Sequence, residues 1–184
     1  MKSIQVSSEV NQLAWNPAGT LLFLANRDGS LTIFRTENGL TSPLDWVDAQ
    51  HQIAFEAVPS QIAGFTFDRS GERFLLVTND SNFSVWSTNE LVCVHSFAKF
   101  DVGTPAVAFC GNGVFVAGCN KSGRSGPEPF RVFSAETGAV LGTMESDSRV
   151  LCFGYCYEQK VLACVPDDDK KVVSLFGIKQ IEQK

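Results

Sequence analysis

The sequence has no excess of basic charge. Its 184 residues include 15 Lys and Arg against 20 Asp and Glu, which gives a formal net charge of -5. A surface that binds nucleic acid strongly normally carries a Lys/Arg patch or stripe, because contacts to phosphate dominate such affinity. We therefore expect no strong direct binding of RNA or DNA, and only indirect contact with RNA.

Long apolar runs are also missing. Residues 1–5 lack the apolar core of a signal peptide, and no window approaches the length needed to cross a membrane. Disulfides persist mainly in secreted proteins, so the six cysteines are expected to be free thiols. The sequence thus predicts no membrane association and a location in the cytosol or the nucleus.

Ligand spacings for a metal ion are absent. A zinc site needs paired ligands at short spacing, but His51 and His95 lie far from each other and from most of the cysteines. The spacing between Cys152 and Cys156 does not match a zinc knuckle. The acidic run 167–169 could attract a divalent cation, although a solvated turn is the favoured interpretation. We expect no metal and no other cofactor.

Catalytic motifs are equally sparse. Cys93 and His95 would share one face of a strand, yet no third group is evident to orient such a dyad. The segment 123–126, Gly-Arg-Ser-Gly, is too short for a phosphate-binding loop and lacks its lysine. The sequence therefore predicts a protein that is not an enzyme.

A fourfold repeat is what the sequence does contain. Each unit has an alternating first strand that ends in an aromatic residue, then a turn, an apolar second strand, and a third strand that ends in another aromatic residue. The first-strand aromatics are Trp15, Phe67, Phe109 and Phe153, at spacings of 52, 42 and 44 residues. A WD blade repeats every roughly 40–45 residues. We predict an all-β WD-repeat β-propeller with four blades of four-stranded antiparallel sheets.

The predicted blades lie at approximately 8–57, 58–100, 101–145 and 146–179 within one domain that spans 1–184. The long first spacing comes from residues 40–59, of which 52–56 should form the outermost strand of blade one. A second insertion, 121–129, is rich in Gly, Ser and Pro and is predicted to be a mobile surface loop.

Three tryptophans receive different predictions. Trp46 in the first insertion, with Asp45 and Asp48 beside it, is the best candidate for contact with a partner, although Trp46 could equally pack back onto blade one. Trp15 and Trp86 stand at blade positions where aromatic side chains fill the core.

The WD dipeptide itself is degenerate, and its nearest match is Trp86-Ser87. An acid nevertheless precedes the third strand in two blades, since Asp28 lies six residues before Phe34 and Asp80 lies six before Trp86. In a WD blade such an aspartate caps turn amides and anchors a buried hydrogen-bond network, so we predict a structural role for both.

Several phrases resemble the second half of the THO complex subunit 3 family. They are residues 89–97 (Asn-Glu-Leu-Val-Cys-Val-His-Ser-Phe), 9–16, 173–178 and the common tripeptide 136–138, in the same order along the chain. The resemblance implies a subunit of a nuclear complex that couples transcription to mRNA packaging and export. It also implies a propeller that docks on large helical THO subunits and has no catalytic role.

The chain departs from that family in blade number. A complete member closes a seven-bladed ring, whereas this chain supplies four blades, so we expect part of such a ring with two apolar blade faces open. Residues 2–6 could be the outer strand of a blade that is otherwise missing. Three explanations stay open: a truncated form of a longer protein, a partner that supplies the missing blades, or self-association through the open faces.

Two other functions compete with this one. The first is a WD-repeat adaptor in another assembly, of the ubiquitin-ligase or cytoskeletal type. The second is an enzyme or small-ligand binder that uses the central channel, where the first strands would place Asn11, Gln12, Thr66 and Thr104. These side chains suggest no catalytic arrangement, so the second is disfavoured.

Overall fold

The computed structural model describes residues 6–35, 52–80, 82–97, 106–111, 113–118, 130–144, 150–166 and 171–177. Within these ranges the chain forms four antiparallel β-sheets, and in each sheet neighbouring strands follow one another in the sequence. Such a meander is the simplest way to join antiparallel strands, because each connection needs only a short turn. We refer to the four sheets as blades one to four.

The strands have the following bounds. Blade one contains β1 (Val10–Trp15), β2 (Leu21–Asn26), β3 (Ser30–Arg35) and β4 (Gln52–Glu56). Blade two contains β5 (Ile62–Phe67), β6 (Arg73–Thr78), β7 (Phe83–Ser87) and β8 (Cys93–Phe97). Blade three contains β9 (Val107–Gly111), β10 (Val114–Gly118), β11 (Phe130–Ser134) and β12 (Val140–Met144). Blade four contains β13 (Val150–Cys156), β14 (Val161–Pro166) and β15 (Ser174–Gly177).

The repeat predicted from the sequence is confirmed, and so is the outermost strand over 52–56, which is β4. Blade four differs in two respects. It has three strands in the part of the chain that the structure describes. Its first strand also continues to Cys156, so the turn expected at 154–158 is wrong and lies at 157–160 instead. The strand is longer than expected because Gly154 and Cys156 pair with Ala163 and Val161 of β14.

Polar side chains close the turn between the first two strands of blades one and two. The Asn16 side chain accepts hydrogen bonds from the backbone N–H groups of Thr20 and Leu21, both at 2.9 Å. Asp68 holds the corresponding place in blade two and accepts from the N–H of Arg73 at 3.3 Å. Asn and Asp favour turns because their short side chains can satisfy backbone groups in this way.

Neighbouring blades pack face to face through three apolar cores. On the second and third strands, alternate side chains point toward the next blade. Those that belong to the cores are at most 3 % exposed. They are Phe23, Ala25, Leu31 and Ile33 in blade one, Leu75, Val77, Phe83 and Val85 in blade two, and Val116, Phe130 and Val132 in blade three. Because the intervening positions of blades two and three meet the preceding blade, both faces of these sheets are buried.

Aromatic rings link each blade to the next. The contacts, given with ring-centroid distances, include Phe23–Phe67 at 5.0 Å, Phe83–Phe115 at 5.8 Å and Phe130–Phe176 at 5.2 Å. An aromatic pair of this geometry contributes about 0.5–1.5 kcal/mol beyond the burial of its surface. The rings therefore favour one stacking arrangement over others of similar apolar area.

The first strands form the inner edges of the sheets. All four carry a β-bulge, with the extra residue at Asn11, Ala63, Cys110 and Leu151. Bulges of this kind discourage unwanted pairing at a free sheet edge. Asn11 and Gln12 also reach the next blade, since their side-chain amides donate to the Ile62 and Phe65 carbonyls at 2.6 and 3.0 Å.

Two tryptophans predicted to be core residues differ in burial. Trp86 is 8 % exposed, stacks on Phe74 with ring centroids 6.1 Å apart, and donates from Nε1 to the Ser84 hydroxyl at 2.8 Å. Trp15 is 37 % exposed, so the prediction for it was wrong. Phe67, at the equivalent position in blade two, packs on Phe23 of the preceding blade. The described part of the chain provides no preceding blade for Trp15.

This difference predicts the stability of two variants. Trp86→Ala removes a buried aromatic side chain and should lower the free energy of unfolding by about 3–5 kcal/mol. Trp15→Ala makes the same chemical change at a more exposed position and should cost much less. Urea denaturation followed by circular dichroism measures both, and equal losses would contradict the assignment of Trp86 to the core.

A second pair of variants tests the turn between β2 and β3. Gly29 has a φ of +89°, and a Cβ placed there would overlap the Val58 carbonyl oxygen and lie 2.7 Å from that of Ser60. Gly19 has a φ of +68° with nothing within 4 Å of an added Cβ. An alanine is strained by the positive φ at either position, but only the Cβ of Gly29→Ala also clashes with backbone atoms. We expect Gly29→Ala to lose at least about 1 kcal/mol more in urea denaturation, and a smaller loss than Gly19→Ala would refute the clash.

Candidate protein-binding surfaces

The turn acid of blade one caps its own turn. The Asp28 carboxylate accepts from the N–H of Ser30 at 3.0 Å and from its hydroxyl at 2.6 Å. These hydrogen bonds, first from the hydroxyl and then from the backbone, lower the pKa of Asp28 because they favour the charged carboxylate. The side chain is exposed, so it stands at the outer end of the turn rather than inside a buried network.

A buried residue, Asn26, lies behind this acid. Its side-chain amide donates to the Ser30 hydroxyl and to the Thr32 hydroxyl, each at 2.9 Å, and both Asn26 and Thr32 are buried. The chain of hydrogen bonds therefore runs from exposed Asp28 through Ser30 into the sheet. The sequence pattern predicts the role of Asp28 in the turn, but it does not single out Asn26.

Blade two repeats the arrangement with different residues. The buried Thr78 hydroxyl donates to the Asp80 carboxylate and accepts from the Asn82 N–H at 3.1 Å. The Asn82 side chain donates to the same carboxylate at 2.7 Å. A polar residue at the end of the second strand, an acid two residues later and another polar residue two further on are common to both blades. This spacing is the sequence signal that could have revealed Asn26 and Thr78.

The other predicted site residues cannot be placed beside these turns. Trp46, Asp45 and Asp48 lie outside the described residues, as do Thr104 and the acidic run 167–169. Of the candidates from sequence, the structure therefore locates Asp28 and Asp80, which stand in separate blades and form no common site.

The inner strands of the four blades surround a concave cavity of about 340 Å³. Its wall is formed by residues of all four first strands or the segments just before them, including Gln12, Phe65, Val107 and Leu151. Only Gln12 and Cys152 among the lining side chains carry a polar or nucleophilic group. The exposed wall therefore combines apolar side chains with polar backbone groups, and its described residues include no acid–base pair.

A second cavity, of about 430 Å³, lies between the turns of blades one and two. Its lining is mixed, with Ala18 and Leu21 beside the polar residues Asn16, Thr20, Ser70, Glu72 and Thr88. The Thr88 side chain is buried, and its hydroxyl has no hydrogen-bond partner among the residues that the structure describes. This recess could accept a side chain that donates hydrogen bonds, since Glu72 supplies a carboxylate at its edge.

Turns of blades two and four meet across blade three. Arg69 lies 3.3 Å from the Glu158 carboxylate and places its guanidinium 5.3 Å from the ring centre of Tyr157. The Tyr157 hydroxyl donates to the Phe109 carbonyl at 3.4 Å. Burial, reinforced by the nearby Asp68 carboxylate, raises the pKa of Tyr157 to about 12, so the phenol stays protonated at neutral pH. These contacts connect the turns of blades two and four with each other and with blade three.

The thiols do not form a catalytic or metal site within the described ranges. Cys93, Cys110, Cys152, Cys156 and Cys164 are free, which agrees with the expectation from sequence for these five. Cys93 donates to the His95 carbonyl rather than to its ring, and burial raises the pKa of this thiol, which opposes a nucleophilic role. No cluster of three or more His, Cys, Asp or Glu that could hold a metal ion occurs among the described residues.

The described segments also contain no helix of the length and apolarity that crossing a membrane requires.

The lowered pKa of Asp28 predicts a pH-dependent stability effect. A carboxylate with a depressed pKa in the folded state stabilises the protein above its unfolded pKa of about 3.9 and loses this contribution as the pH falls. Because Asp28 is exposed, Asp28→Ala should lower the free energy of unfolding by only about 1 kcal/mol or less at pH 7. The loss should shrink toward about pH 3, as urea denaturation at both pH values will show.

Asp28→Asn is the matched control, because it keeps a hydrogen-bond acceptor and cannot titrate. Asp28→Asn should therefore be less stable than the natural protein at pH 7, by no more than Asp28→Ala, and this difference should shrink toward about pH 3. An Asp28→Ala loss of the same size at both pH values would rule out a contribution from the ionised carboxylate.

The sequence and the fold are both similar to those of known proteins. No family model matches the sequence. The chain is 25 % identical over 113 residues to THO complex subunit 3 of Arabidopsis thaliana, which covers 61 % of this chain and 33 % of that protein. It is also 25 % identical over 101 residues to WD repeat-containing protein AAC3 of Dictyostelium discoideum, with 55 % and 20 % covered.

The solved structures give the fold. A chain in the crystal structure of a mitotic checkpoint complex matches with a TM-score of 0.71 at 18 % identity, over 92 % of this chain and 50 % of that chain. The chain thus spans about half of that protein and a third and a fifth of the two curated relatives. These comparisons and the stacked meander sheets show that the chain has the WD-repeat β-propeller fold, with weak homology to THO complex subunit 3 and to another WD-repeat protein.

Proposed function

We propose that the chain is a non-catalytic scaffold subunit of a THO/TREX-type nuclear complex, which couples transcription to mRNA processing and export. The observation that carries the proposal is the similarity to THO complex subunit 3 over 113 residues. The similar phrases at 9–16, 89–97 and 173–178 extend over most of the chain. The nucleus is the location that this function implies.

The character of the described surface supports a scaffold. Blades two and three bury both faces in packing, which leaves turns, inner edges and outer strands for contact with other molecules. The described lining of the concave wall contains no acid–base pair, and burial raises the pKa of the Cys93 thiol. Surfaces of this kind suit the docking of protein segments better than the activation of a nucleophile.

The partners in this proposal are proteins, with the large helical THO subunits foremost. The formal net charge of -5 makes RNA an indirect contact, reached through other subunits. Trp46, with Asp45 and Asp48, is the proposed contact point, because aromatic side chains on surface segments dominate the energetics of many interfaces. The recess beside Glu72 is a second place where a partner side chain could bind.

A second candidate is a WD-repeat adaptor in another assembly, of the ubiquitin-ligase or cytoskeletal type. WD repeat-containing protein AAC3 matches at the same identity of 25 %, so sequence similarity supports this alternative as well. The THO match is longer, at 113 residues against 101, and this difference favours the first candidate.

Co-purification distinguishes the two candidates. The tagged chain is recovered from a nuclease-treated nuclear extract of its source organism, and the bound proteins are identified by mass spectrometry. We expect large helical THO subunits in stoichiometric amounts, since nuclease removes any RNA tether. A different stoichiometric set would discard the THO assignment and favour the adaptor.

The same experiment with two variants tests the proposed contact point. Trp46→Ala should reduce recovery of the partner subunits while leaving the urea denaturation curve unchanged. Trp15→Ala is the control, because it removes an indole at a partly exposed position elsewhere and should leave recovery intact. Equal recovery with Trp46→Ala and the unchanged chain would contradict a role for Trp46.

A further inference from the structure

The recess of about 430 Å³ between blades one and two is bounded by three turn segments. They are residues 16–21 of blade one and residues 70–72 and 88–89 of blade two, and we call the space between them the turn recess. The two blades touch beside it, because a Cβ added at Gly71 would lie 2.8 Å from Cδ of Pro17. The turn recess thus lies between two blades that pack on each other, away from the first and last sheet faces of the chain.

Glu72 and Thr88 continue the face of blade two that packs on blade one. Phe74 and Trp86 are paired across β6 and β7, and both belong to the core between these blades. Glu72 precedes Phe74 by two residues, and alternation along a strand places both side chains on one face. The same holds for Thr88, which follows Trp86 by two residues and donates from its N–H to the Glu72 carbonyl at 2.9 Å. Both side chains therefore face the turn recess, Thr88 from a buried position and Glu72 from the exposed rim.

The Thr88 hydroxyl is an unsatisfied polar group on this face. Thr88 is 4 % exposed, and its oxygen has no hydrogen-bond partner within the described ranges. A buried hydroxyl without a partner costs free energy that a hydrogen bond would recover. Rotation about χ1 exchanges the hydroxyl and the methyl group of a threonine, so the oxygen can turn toward a group that enters the recess. An incoming group that donates a hydrogen bond is therefore stabilised here.

Glu72 supplies the charge of the recess. It is the one charged residue in the described lining, and it forms no ion pair within the part of the chain that the structure describes. The Glu136 and Glu158 carboxylates of neighbouring turns lie 3.9 and 3.3 Å from arginine nitrogens instead. An unpaired carboxylate attracts a cation, and the formal net charge of -5 acts in the same direction.

From these observations we propose that the turn recess binds an arginine side chain of a protein partner. The planar guanidinium carries five N–H donors, so it can serve the Glu72 carboxylate and the Thr88 hydroxyl together. The methylene stem of the arginine packs on Ala18 and Leu21, the apolar part of the lining. The proposal rests on the scaffold function of the chain but not on the THO assignment.

Proton–nitrogen correlation NMR of the full chain is the primary test. The probe is N-acetyl-arginine N-methylamide, and the same derivative of citrulline is the neutral control, because citrulline has nearly the same shape without the charge. We expect the arginine probe to shift the backbone resonances of residues 16–21, 70–72 and 88–89 with a dissociation constant on the order of 1 mM. The citrulline probe should bind at least about tenfold more weakly.

A pair of variants separates local charge from net charge. Glu72→Gln removes the carboxylate with little change in shape and should raise the dissociation constant of the arginine probe at least about fivefold. Glu90→Gln makes the same change in net charge at an exposed acid outside the described lining. This matched control should leave the constant unchanged.

A further variant, Thr88→Val, separates binding from folding. It removes a hydroxyl that has no described partner and keeps the shape of the side chain, so the urea midpoint should stay the same or rise. The dissociation constant of the arginine probe should nevertheless rise at least about threefold. A purely structural role of the hydroxyl would instead lower the urea midpoint and leave binding unchanged.

Several results would overturn the proposal. One is equal binding of the arginine and citrulline probes, and another is an equal response to Glu72→Gln and Glu90→Gln. Resonance shifts spread over other acidic turns would indicate attraction to the overall charge rather than a site. Equal affinity for the corresponding lysine derivative would remove the preference for a guanidinium. These measurements concern the recess alone, whereas recovery of THO subunits tests the proposed function, so the two can fail separately.

Discussion

Blades two and three are sheets that are apolar on both faces, and this constraint governs the structure. In β6, Phe74 and Leu76 pack toward blade one while Leu75 and Val77 pack toward blade three. These four consecutive residues are all buried and leave no solvated face in this part of the strand, so a blade of this kind needs a neighbour on each side. Stability in such a stack comes from nearest-neighbour interfaces rather than from one central core.

Because the faces are used for stacking, recognition falls to the turns and strand edges. The charged side chains Asp28, Asp80, Arg69 and Glu158 all stand in turns. Their hydrogen bonds and ion pairs organise the turns without adding to the apolar cores. A scaffold built in this way can vary its turns for different partners while the stacked sheets stay the same.

The sequence predicted the strands because alternation and closing aromatics are local properties. The prediction failed where a residue's surroundings depend on a neighbour. Trp15 and Phe67 look equivalent in sequence, but Phe67 packs on Phe23 of the preceding blade, whereas the described residues include no blade before that of Trp15. Gly154 resembles a turn residue, yet it is paired with Ala163 of β14 inside β13. Asn26 was missed because a polar residue at a strand end resembles a turn, and its burial follows from contacts with Ser30 and Thr32.

Net charge and local charge act over different distances. A net charge of -5 on 184 residues repels other acidic molecules at long range, but this repulsion is screened within about 10 Å at moderate salt. Within that distance the charged side chains of the turns, such as Arg69 and Glu158, act directly on the groups that approach them. The selection of a partner is therefore governed by the few charges in the turns and the groups around them, whereas the overall charge of the chain mainly affects how often molecules meet.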